Sequence, residues 1–159
     1  MKTLIVDEET VTVESVYGNA EPISIWPIGC VARVHDPDDD GHSGRVSEIE
    51  LFSGMERFMR GLEDESSLLV LWHFDRARPV RSVFPRGWDG REVGPFASRT
   101  PHRLTPIGAT EVELLEVRGT TLVVRGLEAF EGTPVLDIKV TMESLRHGGR
   151  LGRRTPETD

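Results

Sequence analysis

The sequence predicts a mainly β fold: a small single-domain β-barrel with one short helix and minor α decoration. Three observations predict it. Most apolar residues fall in short β-rich runs, glycines and prolines separate these runs, and only one segment has convincing helical apolar spacing. A chain of 159 residues has room for one domain with a sizeable core.

The N-terminal third is predicted to be built from strands. Residues 3–6 and 10–17 are β-rich and flank an acidic turn, which indicates a hairpin. Residues 23–34 form another β-rich run, in which Pro27 and Gly29 indicate a bend or bulge. An alternating strand is then expected over residues 47–52.

The only helix predicted before the tail covers residues 55–62, whose apolar residues at 55, 58, 59 and 62 would pack on the core as one face. Residues 67–74 are continuously apolar, which predicts a strand buried on both faces. A hairpin with Gly119 in its turn is expected from residues 107–117 and 121–125, and a last strand from residues 135–140.

Charge is distributed unevenly along the chain. The net charge of −8 argues against bulk electrostatic binding of nucleic acid. However, residues 76–103 contain seven arginines against only Asp89 and Glu92. Because the guanidinium fork suits carboxylate or phosphate, this segment is a candidate for contacting an anionic partner.

Other bulk features point to a cytoplasmic protein without membrane contact. No apolar run has the ~20 residues needed to cross a bilayer, and the N-terminus does not resemble a signal peptide. Cys30 is the single cysteine, so no intrachain disulfide is expected. It is expected to be a small core residue rather than a nucleophile.

Residues 97–108, "ASRTPHRLTPIG", are the first candidate for a ligand-binding loop. Two prolines stiffen the backbone and Gly108 permits a turn, while Arg99, His102 and Arg103 concentrate charge. A stiff, charged loop is suited to holding an anionic or polar ligand. The alternative is an ordinary surface loop with solvated arginines.

No metal site is expected. Residues 36–41, "DPDDDG", match the first half of a calcium loop, but Ser47 stands where such a loop needs a glutamate. We therefore expect a solvated acidic loop. The histidines have no close ligand spacing and the lone cysteine offers no pair, so a structural zinc site is not expected either.

Four segments, taken together and in order, resemble the TsaA/TrmO-like methyltransferases. The most specific combination is R-x-P-H-R followed by P-I-G, and later G-T-P-x-x-D-I-K. The four segments are "WPIGCVARV" (26–34), "IELFSGMERFMRGLEDESSLLVLWHFDRA" (49–77), "GPFASRTPHRLTPIGATEVELLEV" (94–117) and "GLEAFEGTPVLDIKV" (126–140).

The resemblance covers roughly residues 22–143 and so divides the chain. A β-rich extension (1–21) would precede the family domain (22–143), and a basic flexible tail (144–159) would follow it, since the tail is rich in Gly and Arg and has no apolar face. The resemblance implies a homodimeric β-barrel that uses S-adenosylmethionine to methylate N6 of threonylcarbamoyladenosine in tRNA.

The resemblance also implies the site. It places S-adenosylmethionine against Asp75, Arg76, Arg99, Arg103, Ala109, Arg125, Gly126, Leu127 and Glu128. His102 is the expected proton acceptor, since an imidazole titrates near neutrality; alternatively it is a hydrogen-bonded loop histidine. Asp137 would position the acceptor, or would pair with Lys139 or an arginine.

Three departures from the family pattern bear on the acceptor. Leu104-Thr105 replaces the usual P-N, Asp75 stands where a histidine closes the buried strand, and the P-R-Q segment has no match between Val34 and Ser47. Asparagine can read a base edge and leucine cannot. Two alternatives to a tRNA enzyme therefore stay open. One is a methyltransferase that acts on a small-molecule metabolite, and the other is a non-catalytic barrel that binds S-adenosylmethionine.

Overall fold

A computed structural model describes residues 1–36, 44–76 and 78–151 and confirms the mainly β class. The helices are short: α1 (Val13–Tyr17), α2 (Met142–Leu151) and three 3₁₀ segments, Ser53–Phe58, Leu62–Asp64 and Pro95–Ala97. The strands are β1 (Thr3–Val6), β2 (Glu9–Thr12), β3 (Gly29–His35), β4 (Val46–Leu51), β5 (Ser67–His73), β6 (Phe84–Pro85), β7 (Glu92–Val93), β8 (Ile107–Arg118), β9 (Thr121–Arg125) and β10 (Pro134–Val140).

The chain forms two compact units, and the domain bounds predicted from the sequence stay a prediction. The first, here called the loop unit, contains Met1–Trp26 and His73–Gly108. The second, the sheet unit, contains Pro27–Trp72 and Ala109–Asp159. Within the ranges that the structure describes, no helix is long and apolar enough to span a membrane.

The sheet unit is organised by six strands in the order β10-β3-β4-β9-β8-β5, and this order closes on itself because β10 also pairs with β5. Alternate side chains of these strands point inward: Leu68, Val70 and Trp72 of β5 are buried, and so are Leu122 and Val124 of β9. The prediction that β5 is buried on both faces is therefore wrong, because its other face is only partly covered. Every buried apolar side chain among the described residues belongs to this unit.

Gly29 begins β3 where two backbones approach closely. A Cβ at this position would lie 2.8 Å from Cα of Leu51 and would also overlap the carbonyl oxygen of Glu50. Only glycine therefore fits here without a backbone shift.

The loop unit contains two small hairpins. In the β1–β2 hairpin, Asp7 and Glu8 form a two-residue turn with positive φ angles of 51° and 69°. The second hairpin pairs β6 with β7 and was not predicted, although the Asp89-Gly90 turn between two short β segments is a known hairpin signal.

Two N-terminal strand predictions extend too far. Residues 10–17 divide into β2 and α1, because the Thr12 side chain accepts a hydrogen bond from the Ser15 backbone N–H and so caps a helix. The strand predicted over residues 23–34 begins only at Gly29, two residues after Pro27.

The helix predicted over residues 55–62 is wrong. Its hydrogen bonds run from residue i to i+3, and Gly61, with a φ of 92°, separates two 3₁₀ segments. Because of this tighter winding, only Met59 of the four predicted core positions is buried, and Phe58 is 74% exposed.

The tail contains a helix that the sequence did not predict, since residues 142–151 form α2. Buried Thr141 caps it: its hydroxyl accepts from the Ser144 backbone N–H at 3.2 Å and hydrogen-bonds Ser67. Gly148 and Gly149 conceal this helix at the sequence level. Residues 152–159, the rest of the predicted tail, lie outside the described residues.

Candidate functional site

Within the loop unit, the predicted ligand loop is held by its own hydroxyl groups. The Ser98 hydroxyl donates to the Pro95 carbonyl at 3.1 Å and accepts from the Thr100 N–H at 3.3 Å. The Thr100 hydroxyl then accepts from the His102 N–H at 3.2 Å. Such short-range side-chain bonds, together with the fixed φ angles of the prolines, hold one loop conformation.

Arg103 stabilises this loop from within. Its Nη1 donates to the Ser98 carbonyl at 3.3 Å and to the Thr100 carbonyl at 3.4 Å. Arg103 therefore supports the backbone on either side of Arg99, whose side chain is exposed. The predicted contact between Arg103 and the cofactor stays a prediction.

His102 is tied to a second segment of the same unit. Its Nδ1 lies 2.8 Å from the carbonyl oxygen of Pro79, and its own carbonyl accepts from the Arg81 N–H at 3.3 Å. A carbonyl oxygen can only accept, so Nδ1 carries the proton in the neutral ring. The lone pair is then on Nε2, which can receive a proton from a substrate.

Asp75 and Arg76 lie beside the other end of the loop. Phe74, the residue before Asp75, donates its backbone N–H to the Pro106 carbonyl at 2.8 Å. The structure thus brings together two segments that the resemblance assigns to one ligand. The side chains of Asp75 and Arg76 are exposed.

Arg86 serves a structural purpose in the basic segment. Its guanidinium makes a two-point ion pair with Asp89, donates to the Ala97 carbonyl at 3.2 Å and lies 4.3 Å from the centroid of the Trp88 ring. The hydrogen bonds from Arg86 lower the pKa of the Asp89 carboxyl below its usual value. The sequence showed the cluster of arginines but not which of them are engaged.

The remaining predicted site residues belong to the sheet unit. Arg125 ends β9 and its Nη1 donates to Glu113 Oε2 at 2.8 Å, while its buried Nε has no hydrogen-bond partner among the described residues. Gly126 follows with a φ of 94°, Leu127 is buried and Glu128 is exposed. Only a residue that tolerates left-handed φ makes this turn without strain.

Ala109 and Asp137 also lie in the sheet unit. Ala109 is an exposed residue of β8. Asp137 stands at a register shift in β10, accepts from the Ile138 N–H at 2.9 Å and pairs with Lys139 Nζ at 2.6 Å. The ion pair with Lys139 that the sequence analysis named is therefore present, and the predicted role of Asp137 in positioning the acceptor stays a prediction.

No group of three His, Cys, Asp or Glu side chains suited to a metal ion occurs in the described part of the chain. The acidic loop with the partial calcium pattern, residues 36–41, lies outside the described residues except for Asp36. The Asp36 carboxylate accepts from Arg45 Nε at 3.2 Å.

Fold and loop together define a mainly β protein with a rigid, cation-bearing loop. Residues 33–145 match the family described as the tRNA-methyltransferase O N-terminal domain. The chain belongs to this family, which confirms the resemblance drawn from the sequence motifs.

Several relatives are proteins described by their ligand. A "probable S-adenosyl-L-methionine-binding protein" of Methanothermobacter thermautotrophicus is 40% identical over 77% of this chain and 93% of its own length. Another, from Archaeoglobus fulgidus, is 46% identical over 62% of this chain but only 28% of its own length.

A third relative is named for a reaction. The mouse "tRNA (adenine(37)-N6)-methyltransferase" is 35% identical over 69% of this chain and 26% of its own length. Like the relative from Archaeoglobus, it is much longer than this chain, which spans about a quarter of each of the two.

Solved structures agree on the fold. The crystal structure of TrmO from Pseudomonas aeruginosa superimposes with a TM-score of 0.60 at 22% identity, covering 89% of this chain and 62% of that one.

Proposed function

We propose that this chain is an S-adenosylmethionine-dependent methyltransferase whose acceptor is N6 of adenine in tRNA. The first candidate for this acceptor is the modified nucleoside threonylcarbamoyladenosine. The observation that carries the proposal is the family match over residues 33–145, which includes the entire loop with Arg99 and His102. The names of the mammalian relatives support the adenine acceptor, and those of the archaeal relatives support the cofactor.

The side chains of the loop unit suit this cofactor chemically. Its amino-acid moiety carries a carboxylate and an ammonium group. Exposed Arg99 and Arg76 offer guanidinium groups for the carboxylate, and exposed Asp75 offers a carboxylate for the ammonium. S-adenosylmethionine supplies an already activated methyl group.

The protein's own task is then to align the acceptor and remove a proton. Methylation of an exocyclic amine leaves an extra proton on nitrogen, which must be transferred to a base. His102 can take it at Nε2, because Pro79 holds the other ring nitrogen in its protonated form. Rigid support of His102 by the loop would reduce the entropy lost in alignment.

Replacement of Arg99 tests the cofactor assignment. We expect Arg99→Ala to weaken S-adenosylmethionine binding by roughly 1.5–3 kcal/mol in calorimetry, as for the loss of a hydrogen bond between charged groups. Arg78→Ala is the matched control, because Arg78 is exposed in the same unit and outside the assigned set. Unchanged affinity in a folded Arg99→Ala protein would remove Arg99 from the site.

Salt dependence tests the acceptor. Arg78 and Arg91 of the basic segment are exposed, and they are available to track a phosphate backbone. Affinity for tRNA should then fall steeply with salt concentration, with a log–log slope that reports the number of phosphates contacted. A small-metabolite methyltransferase would show almost no such slope. Leu104-Thr105, in place of the family's P-N, is the sequence feature that favours this second candidate.

The barrel, the homodimer and the cytoplasmic location expected from the family are part of the proposal. The closed strand order supports a small β-barrel, and the resemblance supports a homodimer and a cytoplasmic location. Sedimentation at micromolar concentration should show a species about twice the 17.8 kDa chain mass. A species of the chain mass alone would contradict the dimer.

The proposed cofactor contacts of Arg125–Glu128 rest on the resemblance and are tested by substitution, independently of Arg99.

A further inference from the structure

The β1–β2 hairpin lies outside the family match, yet its turn is bound firmly to residues 80–82. The backbone N–H of Asp7 donates to the Val80 carbonyl at 3.0 Å, and Val6 and Val80 form a parallel bridge. The Asp7 carboxylate accepts from the Ser82 backbone N–H at 2.9 Å and also from the Ser82 hydroxyl. Three hydrogen bonds, one of which belongs to the Val6–Val80 bridge, thus join the hairpin turn to one short segment.

The same segment holds His102 on its opposite edge. The Pro79 carbonyl accepts from His102 Nδ1, and the Arg81 N–H donates to the His102 carbonyl. Contacts to the hairpin thus use residues 80 and 82, and contacts to His102 use residues 79 and 81. This alternation is that of an extended backbone, whose polar groups point to opposite edges at successive residues.

We propose that the N-terminal hairpin positions His102, with Asp7 and Ser82 as positioning residues. The hairpin fixes the backbone of residues 79–82, so that the Pro79 carbonyl stays aimed at Nδ1 and the lone pair of the imidazole stays on Nε2. The catalytic consequence rests on the function proposed above; the effect on the His102 tautomer does not.

The electrostatics of Asp7 agree with this assignment. Hydrogen bonds from the Ser82 hydroxyl and backbone, and then the charge of Arg81, lower the pKa of the Asp7 carboxyl. The charged form that accepts both Ser82 hydrogen bonds is therefore the form present at neutral pH.

Histidine nitrogen NMR on the full chain tests the positioning directly. The ¹⁵N shifts of a neutral imidazole report which of its two nitrogens carries the proton. His102→Gln identifies the signals. The wild type should show the Nδ1–H form, whereas Asp7→Asn and Ser82→Ala should show both tautomers. Asparagine tolerates the positive φ at position 7, so the turn is kept.

Glu8→Gln is the matched control. Glu8 shares the turn and its positive φ, but is not bonded to Ser82, and its replacement should leave the His102 signals unchanged. His102 shifts equal to those of the wild type in folded Asp7→Asn and Ser82→Ala proteins would overturn the proposal.

Kinetics separate this proposal from the proposed function. In Asp7→Asn, kcat for methyl transfer should fall about tenfold while the Kd for S-adenosylmethionine stays unchanged, because misplacing a catalytic group impairs chemistry more than binding. A wild type that transfers no methyl group would refute the proposed function, while the NMR result would still decide whether the hairpin positions His102.

Discussion

The two units are held together by different interactions. In the sheet unit, alternating strand residues bury a continuous set of apolar side chains, including Val31, Ile49 and Leu122, all with 0% exposure. The loop unit contains none of the buried apolar side chains found among the described residues, and its segments are joined by individual polar contacts such as Asp7–Ser82 and His102–Pro79. Burial of many apolar side chains determines the fold of the sheet unit, whereas a few directional hydrogen bonds determine the loop geometry of the loop unit.

Truncating the apolar core should have the largest effect. Leu122→Ala removes a completely buried side chain, so we expect the free energy of unfolding in urea to fall by about 2–5 kcal/mol. Leu115→Ala is the control, since Leu115 is 39% exposed on the neighbouring strand and its loss should cost well under that amount. Equal losses for the two variants would show that burial in this sheet does not determine its stability.

Overfilling the sheet at its tightest approach should cost somewhat less. Gly29→Ala places a Cβ against the backbone of β4, and relief requires a shift of one strand, for which we expect a loss of about 1–3 kcal/mol. Gly54→Ala, where no atom lies within 4 Å of the added Cβ, should be near neutral. A thermal unfolding comparison of both variants would decide. Indistinguishable melting temperatures would mean that the strands at Gly29 separate without cost.

The sequence predicted the sheet unit better than the loop unit, because apolar strand patterns are visible in a sequence and individual polar contacts are not. Period-two alternation, a continuous apolar run and turn glycines are local signals, so β4, β5, β9 and β10 were predicted within a residue or two of their observed ends. The sequence could not reveal that Asp7 reaches Ser82, because that pairing spans 75 positions and has no periodic pattern.

The site was predicted only as far as motifs extend. The R-x-P-H-R and P-I-G motifs identified the loop, and the family match confirms the family to which they point. The positions of arginines and histidines in the sequence do not show which of their side chains form hydrogen bonds or ion pairs within the fold. The sequence therefore did not show that Arg103 supports its own loop, that Arg86 binds Asp89, or that Pro79 selects one tautomer of His102.

The smallest effect is expected for the charge of Asp7 in the loop unit. Its pKa in the folded state is lowered from 3.8, so the folded state binds fewer protons than the unfolded state near that pH. The carboxylate therefore stabilises the fold above pH 3.8, and this stabilisation is lost as the pH falls through the folded pKa. Urea unfolding of the wild type and Asp7→Asn should differ at neutral pH and converge in acid. A difference that does not change with pH would show that the carboxylate charge contributes nothing.

Methyl transfer to tRNA tests the central claim most directly. The full chain is incubated with methyl-labelled S-adenosylmethionine and tRNA that carries threonylcarbamoyladenosine without the N6 methyl group, and the digested nucleosides are analysed by mass spectrometry. We expect the label on N6 of that nucleoside, with transfer reduced about 10²–10⁴-fold in His102→Gln. Tight cofactor binding with no label in tRNA would contradict the account and favour a small-molecule acceptor or a binding protein without catalysis.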